Sequence, residues 1–422
     1  MKRSLKLVIG VILIASLVLA GCSPKNSGSQ NSGGTNSGEK VKLRLLAYNK
    51  EETRKSYLEF LKTKLPNVEI EFQFVDLKSY DNLLKTQLAS GNGPDFFEIG
   101  GSGAAYASAG YLEDLTNASY IKKYNDTGIM PYKGKVYGLP LQSWFEGIWY
   151  NKDIFKKYNL TPPKSWDEWM TIHDKLRAAG VKPQAMGAKS WEPMAKQQFG
   201  LLLNEFYSKP ENKNFDEQFS AGTKKATDNW NATVKKWTET IQKGNITKDM
   251  LGIEYDQAQD EFATGKAAMW ESGPWALEAL KKKNPNLNIG MFPIPGLKEG
   301  TGWLIGGPGS AWAMNKNSKN KDTINKIFEL TATPEAQEAL IKDNFGSSFL
   351  KGMNSKLPPE YEDAAKAFNS GNVYAPWIHW PFDIAMDYGK ALQDVLAGTK
   401  TVDDAIKLLD AKAEEQIKLL NK

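Results

Sequence analysis

From residue 41 onward, apolar and polar positions switch between two periods. Val41 to Ala47 is an apolar-rich run that reads as a strand, and Val68, Ile70, Phe72 and Phe74 alternate with Glu69, Glu71 and Gln73, the period of a half-buried strand. Between them, Glu52 to Leu65 carries Tyr57, Phe60 and Leu61 on one side of a helix, and Pro66-Asn67 turns the chain. Ser79 to Ser90 sets Tyr80, Leu83, Leu84 and Leu88 on one helical face before Gly91-Asn92-Gly93-Pro94 breaks it and Asp95 to Ile99 follows as a strand. Strands and helices alternating at this spacing imply β-α-β units and a parallel sheet, so the fold class is α/β.

Farther on, Ser165 is placed to cap a helix that opens Trp166-Asp167-Glu168-Trp169, with acids in its first turn. Trp166 and Trp169 lie one turn apart and Trp230 and Trp237 seven residues apart, a periodicity that assigns all four to the core. Ala267 to Trp270 reads as a strand, Ser272-Gly273-Pro274 punctuates it, and Trp275 opens a helix to about Lys282. Ile289 to Pro293 and Ser310 to Met314 read as strands. Helices are expected at Asp322 to Thr331, Pro334 to Lys342, Pro359 to Asn369, Pro381 to Leu396 and Val402 to Leu420, with no internal repeat.

Composition narrows the function. At 422 residues the chain is long enough for two or three domains, and its single cysteine excludes an internal disulfide. Two histidines, His173 and His379, cannot assemble a metal site of His and Cys, and neither sits in a nucleophile-elbow context. No Walker sequence occurs and the loop Tyr48-Asn49-Lys50-Glu51 lacks G-x-G-x-x-G, so no nucleotide cofactor is expected. The formal charge of +5 contains no basic tract, which argues against nucleic acid. What stands out instead is thirteen tryptophans.

The first residues read as an export signal. Lys2, Arg3 and Lys6 make a basic n-region, Leu7 to Ala20 an apolar run shorter than a membrane span, and small residues precede Cys22. Leu19-Ala20-Gly21-Cys22 resembles a bacterial lipobox, which implies cleavage after residue 21 and a lipid on Cys22. Loss of the three basic residues lowers the formal +5 to +2. Ser23 to Lys40, rich in Ser, Gly and Asn, reads as a flexible tether that holds the body on the order of 20 to 25 Å from the membrane.

Gly93-Pro94-Asp95, Tyr132 to Pro140, Trp149-Tyr150-Asn151-Lys152, Pro163 to Glu168, and Phe262 to Met269 with Gly273-Pro274-Trp275 occur in this order. In this register the chain resembles the family 1 extracellular solute-binding proteins of ABC sugar importers, the maltodextrin-binding group. The resemblance implies a type II periplasmic-binding-protein-like fold of two α/β lobes with the ligand between them, closing by a hinge motion for which such proteins are a standard example. Crossings are expected near Leu141 to Phe145, Met291 to Ile294 and Thr331 to Thr333. The lobes would then comprise residues 41–141 with 294–332, and 142–293 with 333–422, after a signal at 1–21 and a tether at 22–40. Implied partners are a sugar or oligosaccharide, the ABC permease subunits and, through the lipid, the membrane; a monomer without cofactor, metal or catalysis is expected.

By residue match, Trp275 falls on the family's stacking tryptophan, Trp144 on a crossover contact, and Trp191-Glu192 on a loop that supplies a ring and a carboxylate. Pro376 to Pro381 concentrates Trp377, His379 and Trp380 in a non-periodic loop, either a ligand surface or a plug packed at the hinge. Glu271 could accept two sugar hydroxyls or serve as a surface or capping carboxylate. Tyr48, Asn49, Glu98 and Ser102 follow predicted strands, the side on which open α/β sheets bind ligands. Gly306 to Gly309 read as a turn, with Gly307 the candidate to bring a backbone N–H to the cleft. Phe97 to Gly103 lack the tryptophan and the acid-base pair of the maltodextrin binder, which favours a different sugar. A surface glycoside hydrolase, needing two carboxylates about 5 to 10 Å apart, and a binder of peptide or polyamine remain the alternatives.

Overall fold

Thirteen strands among the described residues form two principal sheets and one small hairpin in the computed structural model. It describes residues 40–100, 103–125, 128–343, 346–353, 357–380 and 384–420, so the signal, Cys22, most of the tether and Ser102 lie outside the described residues. In chain order the strands are β1 Val41–Ala47, β2 Val68–Phe74, β3 Phe96–Ile99, β4 Pro131–Tyr132, β5 Lys135–Val136, β6 Leu139–Pro140 and β7 Ser143–Asn151. They continue with β8 Lys182–Ala185, β9 Ala267–Ser272, β10 Ile289–Phe292, β11 Leu304–Pro308, β12 Ala311–Met314 and β13 Val373–Tyr374.

The first sheet runs β2-β1-β3-β12-β6. β1 pairs in parallel with both β2 and β3, as expected of β-α-β units, and β12 closes antiparallel on β3. Leu43, Leu45, Phe96, Trp312 and Phe328 form its core on one face; Leu46, Tyr80, Leu84 and Phe97 cover the other. The alternation in β2 marks an edge strand, which keeps its glutamates at the surface.

The second sheet runs β13-β11-β7-β9-β8, with β10 also on β7. β7 alternates strictly: Phe145 and Trp149 enter one core, while Ile148 and Tyr150 enter the other with Met269 and Ile305. The two faces of β7 are therefore both covered, and the fold is a two-lobe α/β arrangement. Trp166, Trp169, Trp230 and Trp237 are all fully buried, as their spacing predicts. Trp166 and Trp169 meet edge to face at 5.3 Å, a contact worth about 0.5–1.5 kcal/mol beyond burial. Ser165 caps their helix, accepting from the Glu168 N–H at 3.3 Å.

Three details differ from the sequence reading. Gly306 and Gly307 lie in β11, not in a turn. A Cβ on Gly306 would collide with the Trp144 carbonyl oxygen, so the glycine permits close pairing of β11 with β7. The return to the first sheet runs through Gly309-Ser310, between β11 and β12, whereas Met291 to Ile294 stay with the second sheet because β10 pairs with β7. The segment after Thr331 also stays with the first core, where Ala336, Leu340 and Leu350 are buried, and Tyr361 is the next large side chain in the second.

The connecting strips lie side by side. The Leu141 N–H donates to the Ser310 carbonyl at 3.0 Å, Gly309 to Gln142 at 3.0 Å, and Ser143 to Ser347 at 2.7 Å.

Candidate functional site

Strand pairing sets Ile148 opposite Glu271, so Glu146, two residues back on β7, shares a face with Glu271 of β9. The helix Glu192–Leu202 crosses this face and brings Lys196 onto Glu146, with Nζ to Oε1 at 2.6 Å, and within 3.3 Å of Glu192 Oε2 one turn earlier. Together with Ala185, Met186, Gly187, Pro193, Tyr255, Trp270 and Trp275 these residues line a cavity of about 110 Å³.

Its mouth is aromatic. Trp275 is 48% exposed, and its Nε1–H donates to the Tyr255 hydroxyl at 3.1 Å, which in turn lies 2.8 Å from Ser272 Oγ. The ring lies over Gly273, where any Cβ would collide with it. The Gly-Pro-Trp sequence thus does two things: Pro274 begins a short 3-10 turn, and the missing Cβ lets the indole fold back over the backbone.

The floor is charged. Glu271 is 6% exposed, and neither carboxylate oxygen has a hydrogen-bond partner among the described residues. Burial, then the neighbouring Glu146, push its carboxyl well above the usual range, and Lys196 only partly opposes them. Burial also raises Glu146, against the pull of Lys196. For Lys196 burial works against the charge, but Glu146, Glu192 and Glu271 outweigh it and hold the ammonium above the ordinary lysine value.

A second aromatic surface adjoins the first. Trp144 and Trp377, both half-buried, meet at 6.2 Å, and Lys196 Nζ stands 5.9 Å from the Trp144 ring. Lys196 therefore touches both regions. Gly307 pairs with Trp144 across β7 and β11, and Ile378 occupies the space where its side chain would be.

The remaining expected contacts lie elsewhere. Trp191 packs against Gly389 of the helix Ala385–Ala397. Trp380 is a core residue: it stacks near Trp230 at 6.4 Å, and its Nε1–H donates to Asp216 at 3.0 Å. Tyr374 and Tyr207 donate to the same carboxylate, whose value burial nonetheless pushes up to about 6. Glu98 is fully buried within β3, the central strand of the first sheet, and not on a loop after it. Arg54 Nη2 reaches its Oε1 at 2.8 Å, and Asn49 donates to both oxygens, from Nδ2 at 2.6 Å and from its backbone at 3.1 Å. Arg54 also donates to Gln142 at 3.0 Å and Ser310 at 3.1 Å, one on each of two connecting strips. Tyr48 stands over this group, edge on to Tyr80 at 5.2 Å. Tyr48, Asn49 and Glu98 thus form one cluster, and Glu192, Glu271 and Trp275 another.

Glu146, Lys196, Tyr255 and Arg54 were not among the residues singled out from the sequence. Only Glu146 carried a signal, as an acid beside Trp144 in an apolar stretch; Lys196 and Tyr255 look like ordinary amphipathic-helix residues until the sheet beneath them is known.

Residues 48–338 match the family profile described as bacterial extracellular solute-binding protein. A multiple sugar-binding protein of Streptococcus mutans is 26% identical over 364 residues, covering 83% of this chain and 85% of that one. The maltodextrin-binding protein MdxE of Bacillus subtilis is 29% identical over 349 residues, covering 79% and 78%. The solved structure of a family 1 extracellular solute-binding protein from Bifidobacterium longum subsp. infantis superposes with a TM-score of 0.77 at 26% identity, over 89% of this chain and 99% of that one. A match that spans most of the chain, on a fold of two sheets joined by adjacent connecting strips, places this protein in the bacterial extracellular solute-binding protein family.

Proposed function

We propose that this protein captures a sugar or oligosaccharide outside the cytoplasm and delivers it to the permease of an ABC transporter, held at the membrane by a lipid on Cys22. The observation that carries the sugar reading is Trp275, a large indole kept exposed by its own glycine and hydrogen-bonded to Tyr255, at the mouth of a cavity walled by carboxylates. Sugar rings need both surfaces, an aromatic face for C–H groups and polar atoms for hydroxyls. The names of the Streptococcus and Bacillus relatives point to the same ligand class.

The lobes we infer follow the sheets: residues 40–141 with 310–353, and residues 142–309 with 357–420. A ligand that touches both favours the closed arrangement and shifts the population toward it. We infer that the Trp144 and Trp377 surface, which shares Lys196 with the cavity, receives a further residue of a longer saccharide.

A thermal-shift screen against mono- and oligosaccharides tests the proposal, since a ligand of the native state raises the melting temperature with concentration. No shift with any saccharide, or an unchanged shift in Trp275→Ala, would overturn it. Released reducing ends on incubation would turn the reading toward a hydrolase. For the anchor, cells fed a labelled fatty acid should label the wild-type chain and not Cys22→Ala.

A further inference from the structure

We propose that Glu271, with Glu146 beside it, receives a cationic amine of the solute, so that the sugar captured here is an amino sugar whose ring lies on Trp275. The inference rests on the sugar-binding reading above and specifies its chemistry.

Three carboxylates and one ammonium line the cavity. The ammonium of Lys196 is already engaged with Glu146 and Glu192. Glu271 is left with two buried oxygens and no donor among the described residues. An unpaired ionised carboxylate in such a place is strongly disfavoured, which favours the protonated form of Glu271 until a cation arrives. Every group facing it agrees: Glu146 from β7 and Glu192 from the covering helix add negative charge, Lys196 is shared, and Tyr255 is occupied by Ser272 and Trp275. Ala185 at the end of β8 and Met186 and Gly187 after it bring no charge at all.

A neutral hydroxyl arriving at Glu271 supplies one donor and no charge. It must either leave the proton in place or accept an ionised carboxylate beside Glu146. An ammonium supplies three donors and the missing positive charge, and lets the proton leave to solvent. The cavity volume of about 110 Å³ is a few times the roughly 30 Å³ share of one liquid water. That is room for the amine-bearing edge of a sugar, with the rest of the ring outside on the exposed indole. A free polyamine would satisfy the charge but leave the Trp275 face without a ring to stack on it.

Sets that differ only at C2 of each ring test this: glucose and glucosamine, galactose and galactosamine, and cellotriose against its 2-amino and 2-acetamido counterparts, each titrated calorimetrically at pH 7. At least one amine should bind ten or more times as tightly as its neutral partner. Repeating that titration in buffers of different ionisation enthalpy should show proton release. Glu271→Gln, checked by its melting temperature to be folded, should erase the preference. If neutral or acetylated sugars bind as well as the amines, or Glu271→Gln leaves the preference intact, the amine inference fails while sugar capture stands. Binding of spermidine with no response to any saccharide would overturn both.

Discussion

Gly273 and Glu271 stand two residues apart and make opposite demands, one for empty space and the other for a partner. A methyl group at Gly273 meets the Trp275 ring, so Gly273→Ala should displace the indole and weaken saccharide binding about tenfold, with melting temperature little changed. Titration calorimetry of the variant against the best sugar measures this. Glu271 gives a prediction in pH. Between the unfolded carboxyl value of about 4.3 and its raised value in the fold, the folded chain keeps a proton that the unfolded chain has lost. Stability therefore falls as pH rises through that window. Glu271→Gln carries no such proton, so its melting temperature relative to wild type should climb from pH 4 to pH 8, and a constant difference would refute the buried, protonated carboxyl. Trp275 was legible in the sequence because Gly-Pro before a tryptophan is a local pattern. Lys196 was not, because what makes it unusual is a pair of acids on two strands of a sheet beneath it.

At the scale of elements, capped helices were the readable part. Ser165 with Asp167 and Glu168 announces a helix start, and the structure begins the helix there. Replacing the cap in Ser165→Ala should cost about 1 kcal/mol, read as a lower urea midpoint at unchanged slope. β7 and β11 were the unreadable part. Both faces of β7 are buried, so its outward-facing alternation of polar residues is missing, and its aromatic run resembles a linker as much as a strand. β11 hides in Gly306-Gly307-Pro308, residues that usually mark turns, because pairing with the Trp144 backbone leaves no space for a side chain. The family resemblance put the return crossing near Met291 to Ile294, whereas the chain passes from the second sheet to the first between β11 and β12. Trp380 follows the same logic: proline-flanked and non-periodic in sequence, it is fixed by Asp216, a partner 164 residues away.

The whole molecule depends on how the two sheets are joined. Arg54 is fully buried and binds Glu98 of the first sheet, Gln142 of one connecting strip and Ser310 of another, so a single guanidinium fastens the Asn49 loop to the joint. Arg54→Met should cost about 3–5 kcal/mol, because it strands the Glu98 charge in the interior. Arg54→Met with Glu98→Gln should recover part of that loss in urea unfolding, and a double variant no better than the single would argue against the pairing. Small-angle scattering should show a smaller radius of gyration with saturating sugar, and no change would argue against closure. Of the thirteen tryptophans, Trp275 alone is exposed; the other twelve are buried or half-buried. The protein consequently carries its own optical gauge of occupancy: Trp275 should be the reddest emitter and the indole most open to acrylamide, and a sugar ring that covers it should blue-shift the emission and reduce the quenching.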